Sequence, residues 1–182
     1  TTKRLNQRKK IKKVKKKIIP EKGIISIYNN GDGIKIEKHS KSGVYNPELI
    51  FGRLLTSSNY KKNQKRTVGG KNGYGAKIIN IFSEYMDIET VDRITGQKYN
   101  QHFHENMKKI DKPIIKKSKL KPYTKITWKV DFHRFGITQL PPDIVNLMVR
   151  RIYDIAGITD SKVNVYYNNE KVKVKSFIDY ID

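Results

Sequence analysis

The sequence predicts an α+β fold, a two-layer sandwich built on a mostly antiparallel sheet. Short β-branched runs and helical stretches interleave without the regular strand–helix–strand rhythm of a parallel sheet. Near the end, two alternating apolar segments flank Asn168-Asn169, the pattern of a hairpin. At 182 residues and 21.3 kDa the chain suits one domain, long enough to bury a real core.

The elements follow in order. Lys3 to Lys17 holds ten basic residues and no acidic one, and reads as a solvated arm or exposed helix. Pro20-Glu21-Lys22-Gly23 reads as a turn, and residues 24–28 as a β-branched strand entering the turn formers Asn29-Asn30-Gly31-Asp32-Gly33. Residues 47–55 look helical, with Pro47 in the first turn. A polar stretch leads to the glycine-rich VGGKNGYG, and residues 76–82 are expected to form a buried helix, since Ile78, Ile79, Ile81 and Phe82 leave few polar positions. Three strands are expected at 85–91, 97–104 and 124–131. The lysine-rich residues 107–121 are expected to be loop. Residues 142–156 form the clearest helix, with Ile144, Leu147, Met148, Ile152 and Ile155 on one face and Gly157 as its stop.

Composition narrows the class. There are no cysteines, which removes disulfides and thiolate metal sites. No run of apolar residues is long enough for a membrane span, so no membrane partner is expected. A net charge of +22 points to a polyanion, although abundant Lys, Ile, Asn and Tyr are also what AT-rich DNA encodes. His102 and His104 share one face of a strand, yet no convincing carboxylate cluster accompanies them and no metal site is assigned.

Two glycine clusters carry the chemistry. Gly70-Lys71-Asn72-Gly73-Tyr74-Gly75 has Walker A spacing, but Ala76 stands where lysine is needed and no Ser or Thr follows Lys77. The dinucleotide fingerprint also fails for want of a third glycine. Asn29-x-Gly31-x-Gly33 places one carboxamide at a strand end, able to donate and accept at once as the edge of a base requires. Together the clusters suggest a nucleotide held between two loops, with backbone amides ahead of a helix facing phosphate.

The stretches ISIYNNGDGI, ELIFGRLLTSSNY, VGGKNGYGAKIINIFS, NLMVRRIYDIAG and VYYNNEKVKVKSFIDYID together resemble the ATP-binding domain of eukaryotic-type DNA topoisomerase II. That domain belongs to the superfamily of gyrase, heat-shock chaperone, histidine kinase and mismatch-repair ATPases (GHKL). The resemblance runs from Gly23 onward and implies a Bergerat-type sandwich with helices on one face, residues 21–182 forming the domain and residues 1–20 a basic segment before it. It implies ATP and Mg2+ as cofactors. Asn29 would lie at the adenine over a floor shaped by Gly31 and Gly33. Ser57, Ser58 and Asn59 would contact the nucleotide, and Gly70, Lys71, Asn72, Gly73, Tyr74, Gly75, Ala76 and Lys77 would form the lid over the triphosphate.

The implied partners are double-stranded DNA and a second copy of the chain, the homodimer closing on ATP to capture a duplex. The implied location is the nucleus, or a host cell or virion for a viral protein, and intracellular in either case. The Ser57-Ser58-Asn59-Tyr60 segment argues against the chaperone and mismatch-repair members, and a non-enzymatic basic nucleic-acid-binding module is the remaining alternative. No catalytic residue is assigned. The family's catalytic glutamate and magnesium-binding asparagine are expected upstream of Thr1, the DNA-cleaving tyrosine in a distant domain, and a further lysine and glutamine beyond Asp182. These 182 residues alone are therefore expected to hydrolyse ATP negligibly. Steady-state turnover at the rate of an intact enzyme of the family would contradict this.

Overall fold

A computed structural model describes residues 11–53 and 73–181. Among them a nine-stranded sheet runs in the order β5-β4-β3-β7-β2-β1-β8-β9, with β6 also on the outer edge of β4. The strands are β1 (Lys13–Ile19), β2 (Ile24–Asn29), β3 (Ser83–Val91), β4 (Gln97–His104), β5 (Lys109–Ile110), β6 (Ile114–Lys117), β7 (Tyr123–Val130), β8 (Asn164–Tyr167) and β9 (Glu170–Lys171). Every pairing is antiparallel except β1 with β8. The helices are α1 (Asn46–Gly52), α2 (Gly75–Ile81), α3 (Phe132–Phe135), α4 (Pro142–Ile158) and α5 (Phe177–Ile181). This is the expected α+β sandwich.

Alternation along the strands gives the sheet one apolar face. Ile18, Ile25, Met86, Ile88, Phe103 and Trp128 are buried there in register, under Phe51 of α1, Ala76 of α2 and Val145 and Met148 of α4. A second cluster joins Ile152 and Ala156 of α4 to Val165 and Val172 beside β8 and β9. The opposite face is polar, with Lys15, Lys17, Ser26, Thr127, Asp87 and His102 at the intervening positions.

Several expectations need correction. The basic stretch is no arm or exposed helix over 13–17, because β1 lies inside the sheet between β2 and β8. The sheet thus crosses the expected boundary at residue 20. Its alternation is hidden by Lys16, which stands on the core face between Val14 and Ile18 with a half-buried stem and an ammonium 3.4 Å from the Met148 carbonyl. Burial lowers its pKa. The stretch 107–121 is not all loop. It holds β5 and β6, edge strands on which lysines discourage further pairing.

Helix α2 is not buried by its isoleucines. Ile78 and Ile79 are 50% and 40% exposed, while Lys77 and Asn80 are the residues turned inward. On α4, Ile144, Leu147 and Ile155 are exposed, and Val145, Ile152 and Ala156 do the packing. Gly157 does not stop α4 but lies within it, where a Cβ would sit 3.1 Å from Tyr180 of α5. The hairpin at Asn168-Asn169 is as expected, both residues having positive φ (44° and 73°).

Of the described glycines whose surroundings are known, Gly33 is the most closely packed. Its φ is +76°, and a Cβ there would stand 2.0 Å from the Val91 carbonyl oxygen. Gly33→Ala is expected to cost more than about 2 kcal/mol in chemical denaturation, from left-handed strain plus a backbone clash. A loss within experimental error of zero would contradict the contact.

Candidate functional site

β2 ends at Asn29 on the helix-covered face, where the strands bring a row of polar side chains together. Asn29 is opposite Thr124 of β7, and Thr124 is opposite Thr90 of β3. The loop after β2 passes over the end of β7 to reach β3. Ile34 N–H donates to Thr90 Oγ1 (2.9 Å), Arg93 N–H donates to the Asp32 carbonyl (3.0 Å), and Ile36 N–H donates to Asp92 Oδ2 (3.1 Å). On its other side the loop is held by Asn30, whose Oδ1 accepts from Lys12 N–H (3.0 Å) and Lys13 N–H (2.8 Å).

The hydrogen-bond roles follow from this wiring. Asn29 Oδ1 accepts from Gly31 N–H (3.1 Å), which fixes the carboxamide and leaves its N–H2 to donate outward. Thr90 spends its hydroxyl proton on the Tyr123 carbonyl (2.9 Å), so in its 3.1 Å contact with Thr124 it accepts. Thr124 therefore spends its own proton on Thr90 and keeps only acceptor capacity for anything else. Donor and acceptor stand side by side at the end of the sheet, the complement of a base edge that carries both.

The two glycines of this loop differ. Gly33 is required by the Val91 contact rather than by a ligand. Gly31 is buried, and a Cβ would lie 3.0 Å from Asn29 Oδ1, so its small size protects the orientation of that carboxamide.

The second segment is described from Gly73 onward. Gly73 has φ +67° and leads into α2, whose first-turn amides at Gly75, Ala76 and Lys77 have no intrahelical acceptor. Lys77 is 3% exposed, and its ammonium reaches back to the Gly73 carbonyl at 2.9 Å. Burial lowers its pKa. Among the described residues nothing lies within 4 Å of where a Cβ on Gly75 would be. Tyr74 is exposed and Ala76 packs on the main core. Ser57, Ser58, Asn59, Gly70, Lys71 and Asn72 lie outside the described residues.

Helix α1 ties the two segments together. Asn80 of α2 donates to the Phe51 carbonyl (3.1 Å), and Gly52 lets α1 meet the Phe103 ring, 2.6 Å from where a Cβ would be. Buried Glu48 accepts from Arg53 Nη2 (2.7 Å) and Gln101 Nε2 (3.1 Å), and Tyr99 donates to Gln101 Oε1 (2.6 Å). Burial pushes the Tyr99 phenol pKa up. Sequence reasoning missed Thr90, Thr124, Glu48 and Gln101. The alternation Thr124, Ile126, Trp128 was visible, but the partner of Thr124 was not. The two histidines are engaged with carboxylates on the opposite face, His102 Nδ1 with Asp87 Oδ1 (2.7 Å) and His104 Nε2 with Asp111 Oδ1 (3.3 Å).

Comparison with known proteins fits this geometry. No family model matches the chain. It is 48% identical over 163 residues to DNA topoisomerase 2 of Arabidopsis thaliana, covering 89% of this chain and 11% of that protein. The ATPase region of Saccharomyces cerevisiae topoisomerase II superposes with a TM-score of 0.88 at 45% identity, over 94% of this chain and 45% of that one. The 43K ATPase domain of Thermus thermophilus gyrase B shares the fold alone, with a TM-score of 0.65 at 18% identity over 89% of this chain and 39% of that one. The chain spans about a tenth of the length of the full relatives it matches.

Thr90→Val is expected to cost about 1–2 kcal/mol in stability, because it removes the acceptor for Ile34 N–H and the donor to Tyr123. Faster hydrogen exchange of the Ile34 amide in this variant checks the assignment. An unchanged rate there would contradict it.

Proposed function

The chain is homologous over about nine-tenths of its length to the ATPase region of DNA topoisomerase II, and from that premise we propose that it forms the nucleotide pocket of an ATP-driven enzyme that passes one DNA duplex through another. ATP enters between the two glycine segments. Asn29 and Thr124 meet the donor and acceptor groups of the adenine edge, and Gly31 leaves Asn29 free to do so. The amides of Gly73, Tyr74, Gly75 and Ala76 wrap the phosphates, and Lys77 supplies positive charge from beneath. Gly70, Lys71 and Asn72 complete the lid, and Ser57, Ser58 and Asn59 reach the nucleotide from the segment after α1.

Phosphoryl transfer asks a protein for positioning and charge stabilisation rather than covalent chemistry, which suits a site made of amides and one lysine. Mg2+ accompanies the triphosphate and neutralises its developing charge. Closure of two copies over bound ATP captures a DNA segment in the assembled homodimer. Such an assembly works on DNA within a nucleus, or in an infected cell if the source is viral. Among the described residues no helix is long and apolar enough to cross a membrane.

One observation carries the pocket assignment. Among the described residues Gly75 is a glycine with neither a positive φ nor a neighbour that a Cβ would touch. No described neighbour accounts for it, and close approach of a ligand does. Gly75→Val is expected to melt close to the parent, since valine is no worse a helix former than glycine, the two differing by a few tenths of a kcal/mol. It is expected to lose magnesium-dependent binding of a non-hydrolysable ATP analogue by at least about tenfold, equivalent to about 1.4 kcal/mol. Equal affinity in calorimetry would contradict the pocket.

Lys77 adds a pH test. Burial holds its pKa in the free protein below 10.5, and a neighbouring triphosphate favours the charged form. Affinity is then greatest below the free-state pKa and declines as pH rises through it. Titrations from about pH 8 upward, above the last ionisation of phosphate, are expected to show this decline, and Lys77→Met to flatten it. An identical pH profile for the two proteins would remove Lys77 from the site.

A further inference from the structure

Among the described residues no helix covers the second face of the sheet, and that face carries a feature that the nucleotide site does not use. Strand alternation in β1 sends Lys13, Lys15 and Lys17 to that face. β8 runs parallel alongside with Tyr166 opposite Lys15, and Tyr166 pairs in turn with Lys171 of β9. Val172 turns into the core under α4, so Lys173 returns to the side of Lys171. The next residue back, Glu170, pairs with Tyr167 and belongs to the helix side.

These five lysines therefore share one surface with no acidic side chain among them, and among the described residues none forms an ion pair. Farther across the same face Lys98 is paired with Glu89 (2.6 Å) and Lys129 with Glu84 (2.6 Å), and Lys125 stands in register with Glu89.

We propose that the β1–β8–β9 end of the open face binds the phosphate backbone of double-stranded DNA. Alternate residues of a strand stand about 6.6 Å apart, so the β1 ammoniums span about 13 Å, and the β9 lysines form a second row about 10 Å away. Each DNA strand presents a phosphate about every 3.4 Å of axis, so both rows meet several charges at once. Tyr166 does not offer its ring to an unstacked base. Lys13 and Lys15 stand over it at 5.5 and 5.6 Å from the centroid, and the ring holds the two ammoniums in place. Without a free stacking surface the site reads backbone rather than bases, and prefers a duplex to a single strand. It stands apart from the pocket reading, because the two sites occupy opposite faces of the sheet.

The test compares two charge-matched variants by fluorescence anisotropy with a short labelled duplex. One carries Lys13→Gln, Lys15→Gln, Lys17→Gln, Lys171→Gln and Lys173→Gln. The other carries Lys108→Gln, Lys112→Gln, Lys116→Gln, Lys117→Gln and Lys119→Gln, at the far edge of the sheet. Between about 50 and 200 mM KCl, the open-face variant is expected to bind at least about tenfold more weakly, with the slope of log affinity against log salt falling by about 0.9 for each phosphate no longer neutralised. The far-edge variant is expected to stay close to the parent, and the parent to bind duplexes of different sequence equally. Equal weakening in both variants, a greater weakening at the far edge, or no duplex binding by the parent overturns the proposal. Affinity for an ATP analogue is measured on each protein and is expected to be unchanged, which separates this result from any failure of the pocket. Should the fivefold variant fail to fold, the pair Lys15→Gln with Lys17→Gln and the pair Lys171→Gln with Lys173→Gln are each expected to lose part of the same slope.

Discussion

The backbone of Gly33 lies against the Val91 carbonyl, closer than any side chain would permit. Much of the molecule depends on that approach. β2 and β3 are not neighbours, since β7 stands between them. The loop leaving β2 can bond to the end of β3 only by crossing over β7, and it crosses where Gly33 lets the two backbones touch. Ile34, Ile36 and Asp32 then lock on to Thr90, Asp92 and Arg93. Asn29, Thr124 and Thr90 are left in one row beneath the crossing, with their hydrogen-bond roles assigned by the backbone around them. A pocket floor made this way is set by backbone geometry, so the groups that would meet a base are in place before it arrives.

The sheet separates two kinds of chemistry. The helix-covered face holds apolar residues along most of its width and polar ones only at the strand ends, where the glycine segments lie. Lysines on that side include half-buried Lys16 and buried Lys77, both with lowered pKa values. On the open face, acidic residues gather on β3, and a group of lysines with no ion pair among the described residues stands on β1 and on and just after β9.

Much of the fold was legible because one-sided burial writes itself into strands. The strand at 97–104 matches β4 in extent, and those expected at 24–28, 85–91 and 124–131 differ from β2, β3 and β7 by a residue or two. The failures share a cause, the lysine side chain. In β1, Lys16 fills a core-facing position with its stem and breaks the apolar alternation. In β5 and β6, lysines mark an exposed edge and look like loop. In α2 the polar Lys77 and Asn80 face inward to hold the loop and α1, so the apolar residues of that helix point out and mislead a count of hydrophobic positions. Of the candidate site, the glycine clusters were legible as motifs and Asn29 as a carboxamide at a strand end. Thr90 and Thr124 were not, because their role comes from cross-strand register rather than from neighbours in sequence.

The pocket requires that one nucleotide bridge the Asn29–Gly33 loop and the Gly73–Lys77 segment. Amide hydrogen exchange measured by mass spectrometry, with and without a non-hydrolysable ATP analogue and Mg2+, reads that bridge in both places at once. Slower exchange is predicted in peptides covering both segments, with peptides of β8 and β9 unchanged. Protection of one segment without the other, or of neither at saturating nucleotide, would contradict it.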